Sequence, residues 1–163
     1  MHTVHHDDLE QLLEMIRPSS ILLIDPNPGA LPPALLSSLP QCQVTHLPVE
    51  HLSKLQHLPC HDLGILANTL ERLERNTAGM VLARLRDCNS RRFVALVPMG
   101  DRWQNQSSYW ALPDLLGYGM SVMARYQVDG KPLYLYQYAI ETYKTTPDWL
   151  NSKFWANPER WRP

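Results

Sequence analysis

The string ILLIDPNPGALPPALLSSLP, beginning at Ile21, ends an apolar run with an acid, Asp25, then sets Asn27 and Gly29 in a short loop before a helical stretch. An apolar strand, a tight loop and a helix are how a nucleotide-binding unit starts, because glycine lets the backbone approach a ligand and the helix N-terminus offers free N–H groups. Two more polar residues follow strand-like stretches: Glu50 in HLPVEH and Asn68 in GILAN. Ligands of open α/β sheets sit beyond such strand ends, so Asp25, Asn27, Gly29, Glu50 and Asn68 form one candidate binding set. Each has a plainer use as well. Asp25 could bond loop amides ahead of Pro26, Glu50 could be a solvated surface acid, and Asn68 could cap a following helix.

Other reactive side chains point to less. His46, His51, His57 and His61 crowd around Cys60 and Asp62, yet none shows HExxH, CxxC or another closed ligand spacing, so surface or structural histidines are expected. His2, His5 and His6 carry no motif. No GxSxG, no P-loop lysine and no nucleophile–base pair is present, and the adjacency of His61 and Asp62 does not make one. The reading therefore assigns no catalytic residue and no metal. Arg72, Arg75, Arg84, Arg86, Arg91 and Arg92 are interleaved with Glu71, Glu74 and Asp87, the pattern of a solvated helix face. With a net charge of -1 over 163 residues, a nucleic-acid partner is not expected. Cys42, Cys60 and Cys88 cannot all pair within one chain, which fits a reduced, cytoplasmic setting. No apolar run approaches the roughly 18 residues of a membrane span.

These residues need elements to position them. HHDDLEQLLEMIRP places Leu9, Leu12, Leu13 and Ile16 at helical spacing, with acids first and Arg17 and Pro18 last. Ile21–Ile24, Leu63–Ala67 and Phe93–Val97 are continuous apolar runs, the signature of strands buried on both faces. Residues 41–47 alternate as another strand, LPPALLSSLP reads as a short helix and HLSKLQHL as one or two turns. TLERLER and AGMVLARLRDC read as helices, capped by Asn68 or Thr69 and by Thr77. SSYWALPDLLGYG predicts a short helix ending at glycine. Val122–Val128 and Leu133–Ile140 flank Asp129–Gly130, a two-residue hairpin signal. The order implies an α/β fold, mostly parallel, with a C-terminal antiparallel hairpin.

That order, with the strings HDLGILANTLERLER and AGMVLARLRDCNSRRFVALVP, resembles the class I S-adenosylmethionine-dependent methyltransferase superfamily up to about Ile140. The resemblance implies a Rossmann-like three-layer sandwich over residues 1–146. Ile21 to Leu63 is short for three strand–helix units, so one unit is expected to be missing. In the superfamily the loop after the first strand is glycine-rich, and an acid after the second holds the cofactor ribose, a place Glu50 could take. Depending on register, the glycine positions hold Asn27, Gly29 and Leu31, or Asp25, Asn27 and Gly29; either way only Gly29 is a glycine. Pro26 and Pro28 bring no N–H to that loop.

The resemblance thus implies the fold without an efficient cofactor site. The expected function is a binding or structural module with no cofactor and with an unidentified protein or small-molecule partner. The alternatives are an active, divergent methyltransferase using S-adenosylmethionine, and a small-molecule sensor using the former cofactor groove. The tail, TPDWLNSKFWANPERWRP, carries Trp149, Phe154, Trp155 and Trp161. Residues 147–163 are expected to pack on their own domain; the other reading has them dock a second copy, giving a homodimer, or another protein.

Overall fold

Leu9, Leu12 and Leu13 do form the buried stripe of a helix, α1 (His6–Ile16), which ends as Arg17 turns left-handed at φ 46° and its N–H bonds Leu13 O at 2.8 Å. The computed structural model describes residues 5–27, 31 and 33–140. Gly29 and the tryptophan tail lie outside them.

Six strands follow the expected apolar runs: β1 (Ser20–Ile24), β2 (Gln43–Leu47), β3 (His61–Leu66), β4 (Ser90–Pro98), β5 (Ser121–Val128) and β6 (Lys131–Ala139). They make one sheet in the order β2-β1-β3-β4-β6-β5. The first four are parallel, and the β5–β6 hairpin lies antiparallel against β4. Asp129 (φ 51°) and Gly130 (φ 73°) turn the hairpin, both with the positive φ that a two-residue turn of this hand requires.

Side chains alternate across the pleat, so each central strand feeds two cores. Ile21 and Leu23 face α1 and α2 (Pro33–Ser37), whereas Leu22 and Ile24 face the 3-10 helix Val49–His57 and α3 (Arg75–Arg84). This is the expected three-layer sandwich. Among the described residues two strands precede β3, joined by the five-residue α2 and the 3-10 helix, so the missing unit leaves β2 as the sheet edge. Its side chains are correspondingly half exposed.

Two local expectations are corrected. TLERLER is not a helix: only Leu70–Arg72 make a 3-10 turn, and Leu73 is extended. The Glu71 carbonyl accepts the N–H groups of Ser107 (2.8 Å) and Ser108 (3.2 Å), so this segment is tied across the molecule instead of to its own next turn. Thr77 caps nothing, because α3 starts two residues earlier behind an extended Glu74. The end of that helix widens into a π turn, Leu85–Asn89, where Ser90 Oγ donates to Leu85 O and buried Asn89 donates to the carbonyls of Leu55 and Leu58. The short helix after Trp110 is α4 (Leu112–Leu116), followed by Gly119 at φ 81°.

Candidate functional site

From β1 the chain goes to β2 on one side and returns to β3 on the other. The connections leaving the carboxyl ends of β1 and β3 therefore run apart, to β2 on one side and β4 on the other, and such a switch point opens a crevice whatever the loop sequences are. Here it is a cleft of about 1070 Å³, lined by Asp25 and Asn27 after β1, Asn68, Glu71 and Arg72 after β3, and Trp103 and Gln106 among others from the loop after β4.

Asp25 sits fully buried at the tip of β1. Its Oδ1 accepts the Asn27 N–H at 2.8 Å across Pro26, an Asx turn, and its Oδ2 lies 3.5 Å from the Asn68 amide nitrogen. The Asp25 carbonyl lies 2.8 Å from His46 Nε2, which must carry the proton because a carbonyl only accepts. Burial raises the Asp25 carboxyl above its ordinary value, against the Asn27 N–H, the Asn68 amide and the charges of His46 and Arg72, which lower it.

Asn68 is not a helix cap. It stands at φ 49°, a left-handed conformation asparagine tolerates better than most residues, and this turns its amide toward Asp25. Thr69 does not cap either: its hydroxyl lies 2.8 Å from the carbonyls of both Ile24 and Ala67, lacing the ends of β1 and β3 together. Glu50 is exposed at the start of its 3-10 helix and is not among the residues lining the cleft. Asp25, Asn27 and Asn68 are thus brought together and Glu50 is not.

Three lining residues with an unpartnered buried polar atom escaped the sequence reading. Glu71 is 9% exposed, its Oε2 is buried without a hydrogen-bond partner, and burial pushes its carboxyl up to about 7. Its own backbone N–H and Arg72 pull that value down, while Asp25 pushes it up. His5 is 7% exposed, its Nδ1 has no partner, and burial with the neighbouring His6 lowers its ring to about 4. Gln106 Oε1 is buried and equally unpartnered. Position could have signalled Glu71, since it lies just past the end of β3 like Asn68. His5 and Gln106 gave no signal in sequence.

Two of the other histidines have structural contacts: His61 Nε2 lies 3.1 Å from Thr45 Oγ1, and His57 Nε2 lies 3.1 Å from the Gln56 amide nitrogen. Among the described residues no group of three or more His, Cys, Asp or Glu side chains is placed to hold a metal ion, and no helix is long and apolar enough to cross a membrane.

The parallel sheet with its switch point and closing antiparallel hairpin is the class I methyltransferase fold. Solved structures bear this out. Magnesium protoporphyrin IX methyltransferase from Synechocystis PCC 6803, with bound SAH, is similar at a TM-score of 0.57 and 12% identity, over 80% of this chain and 80% of that one. The 1,6-didemethyltoxoflavin-N1-methyltransferase of Burkholderia thailandensis, bound to 1,6-didemethyltoxoflavin and S-adenosylhomocysteine, gives 0.56 and 14%, over 85% and 80%. The N-terminal domain of EvdMO1, in the presence of SAH and D-fucose, gives 0.55 and 10%, over 84% and 83%. At these identities the likeness is one of fold. No curated protein matches the chain in sequence. The chain belongs to the family of unknown function DUF6231, whose model spans residues 3–162.

Proposed function

We propose that this protein is a small-molecule-binding module built on a methyltransferase fold, without efficient methyl transfer. One observation carries the reading: three buried polar atoms, Glu71 Oε2, Gln106 Oε1 and His5 Nδ1, belong to residues lining a single cleft and have no partner. Each buried group left unpaired costs about 1–3 kcal/mol, and three around one crevice are explained if a ligand supplies what the protein does not.

The described residues fit S-adenosylmethionine poorly. Glu50, which the resemblance would set on the cofactor ribose, is exposed and outside the cleft lining. The Asp25 carboxylate is spent on the Asn27 N–H and the Asn68 amide. Pro26 brings no N–H to the turn between them. An active methyltransferase remains the second reading, favoured by the cleft's place at the switch point and by the bound SAH or S-adenosylhomocysteine of similar folds.

Calorimetry of the full chain with S-adenosylmethionine and S-adenosylhomocysteine separates the two. The expected result is no binding tighter than about millimolar, a free energy of only about 4 kcal/mol. Micromolar binding that weakens in Asp25→Ala or Gly29→Leu would establish the active-enzyme reading instead.

A further inference from the structure

Of the three unpartnered atoms in the cleft, two are oxygens that accept hydrogen bonds: Glu71 Oε2 and Gln106 Oε1. What is missing opposite them is therefore a donor. The charges agree. Two acids line the cleft from buried positions, Asp25 at the end of β1 and Glu71 beyond β3, and among the described lining residues the one cation is Arg72, which is exposed. His5 adds no positive charge near neutrality, since burial keeps its ring unprotonated. On the side wall stands Trp103, its indole N–H donated to Pro132 O at 3.0 Å, so the ring is held in place. Lys131 lies 5.4 Å from the centre of that ring and occupies one face. A cation already sits against this ring, as aromatic rings in binding sites allow.

We propose that the ligand of this cleft is a small organic cation bearing N–H donors, an amine or a guanidine, held through Glu71 Oε2 and Gln106 Oε1 with Asp25 supplying further negative charge. This rests on the reading of the cleft as a small-molecule site and adds the ligand's chemical class. A buried carboxylate with no partner is poorly solvated, and a hydrogen-bonded cation restores both the charge balance and the missing bond. An anion would face two carboxylates and gain only the solvated Arg72. A neutral apolar ligand would leave all three orphaned atoms buried. The volume of about 1070 Å³ is at the upper end for small-molecule sites, so it also admits larger molecules with an amine at one end.

The test uses the full chain, uniformly labelled with ¹⁵N, and two minimal probes at matched ionic strength: methylammonium chloride and sodium acetate, with acetamide as the neutral control. Backbone amide shifts are followed during titration, at a pH above the range where Glu71 titrates. Methylammonium is expected to shift Glu71, Gln106 and their neighbours saturably. Acetate and acetamide are not. Glu71→Gln, a near-isosteric change, should weaken methylammonium at least tenfold while leaving the spectrum that of a folded protein. If acetate or acetamide saturates these positions and methylammonium does not, the cleft is a ligand site but the amine assignment is wrong. If none of the three saturates there, the reading of the cleft as a small-molecule site fails with it. Saturable methylammonium binding that Glu71→Gln leaves intact would also overturn the assignment.

Discussion

Glu71 offers the sharpest test, because its environment should appear directly in the pH dependence of stability. In the unfolded chain its carboxyl titrates near 4.5, and in the folded protein burial moves it to about 7. Between those values the folded state holds a proton that the unfolded state has released, so stability is complete below about pH 4.5 and falls as pH rises to about 7. At roughly 1.4 kcal/mol per pH decade, the loss across that window is about 3 kcal/mol. Other groups titrate alongside. His5, kept neutral by burial down to about 4, has the opposite sign and stabilises the fold as pH rises toward 6.5. Asp25, also raised by burial, has the same sign as Glu71. Arg72 lowers both carboxyls. The raw curve therefore mixes at least three terms, and the difference between wild type and Glu71→Gln isolates one. Urea unfolding of both proteins at a series of pH values from 5 to 9 measures it. Glu71→Gln should gain on wild type by about 2–3 kcal/mol between the acid and alkaline ends. This holds even if an unpaired amide in the same place costs a constant 1–3 kcal/mol at every pH. A difference that stays flat with pH would refute the burial argument.

Two further outcomes can be tested, one from the fold and one from the tail sequence. Asn68 stands at φ 49°, so Asn68→Val should lose about 1–2 kcal/mol more than Asn68→Gly, which keeps the backbone relaxed; coincident melting curves for the two variants would refute the strain. For the tail we propose that residues 147–163 brace their own domain, each buried tryptophan contributing roughly 1.5–3 kcal/mol. Truncation before Pro147 should then lower the melting temperature markedly and promote aggregation, whereas an unchanged melting temperature with loss of association in sedimentation would mean that the tail docks a second copy or another protein.

The sheet was legible because its strands announce themselves independently of their neighbours. Ile21–Ile24, Leu63–Ala67 and Phe93–Val97 are apolar without alternation, and all three lie in the parallel part of the sheet. Asp129–Gly130 specified the hairpin by itself. TLERLER misled because its spacing is helical while its backbone partners lie in the loop after β4, where the amides of Ser107 and Ser108 reach the Glu71 carbonyl. No local pattern records a partner so far along the chain. The same misreading hid one residue of the candidate site. Glu71 looked like one acid on a solvated, alternating-charge face, and its burial follows from the three-dimensional closure that turned the segment away from a helix. Asp25 and Asn68 were legible because their place depends only on where β1 and β3 end.

The crevice and the glycine loop are separable properties of this fold. The crevice arises because the chain leaves β1 in one direction and returns to β3 in the other, and that topology survives with one strand–helix unit missing. The glycine loop governs something narrower, how closely the backbone can approach a particular cofactor. Here the crevice is present, and the side chains around it make contacts of their own. Asp25 is drawn into an Asx turn. Glu71 anchors the wall of the cleft through its carbonyl, and next to it Leu70 O accepts from Ser108 Oγ, which accepts in turn from the buried Trp110. Glu71, whose Oε2 lacks a partner, is thus also a residue whose backbone holds the wall in position. A ligand that pairs with Glu71 would act on the segment that shapes its own pocket, so binding at Glu71 and ordering of the loop at residues 106–108 should be coupled, each favouring the other.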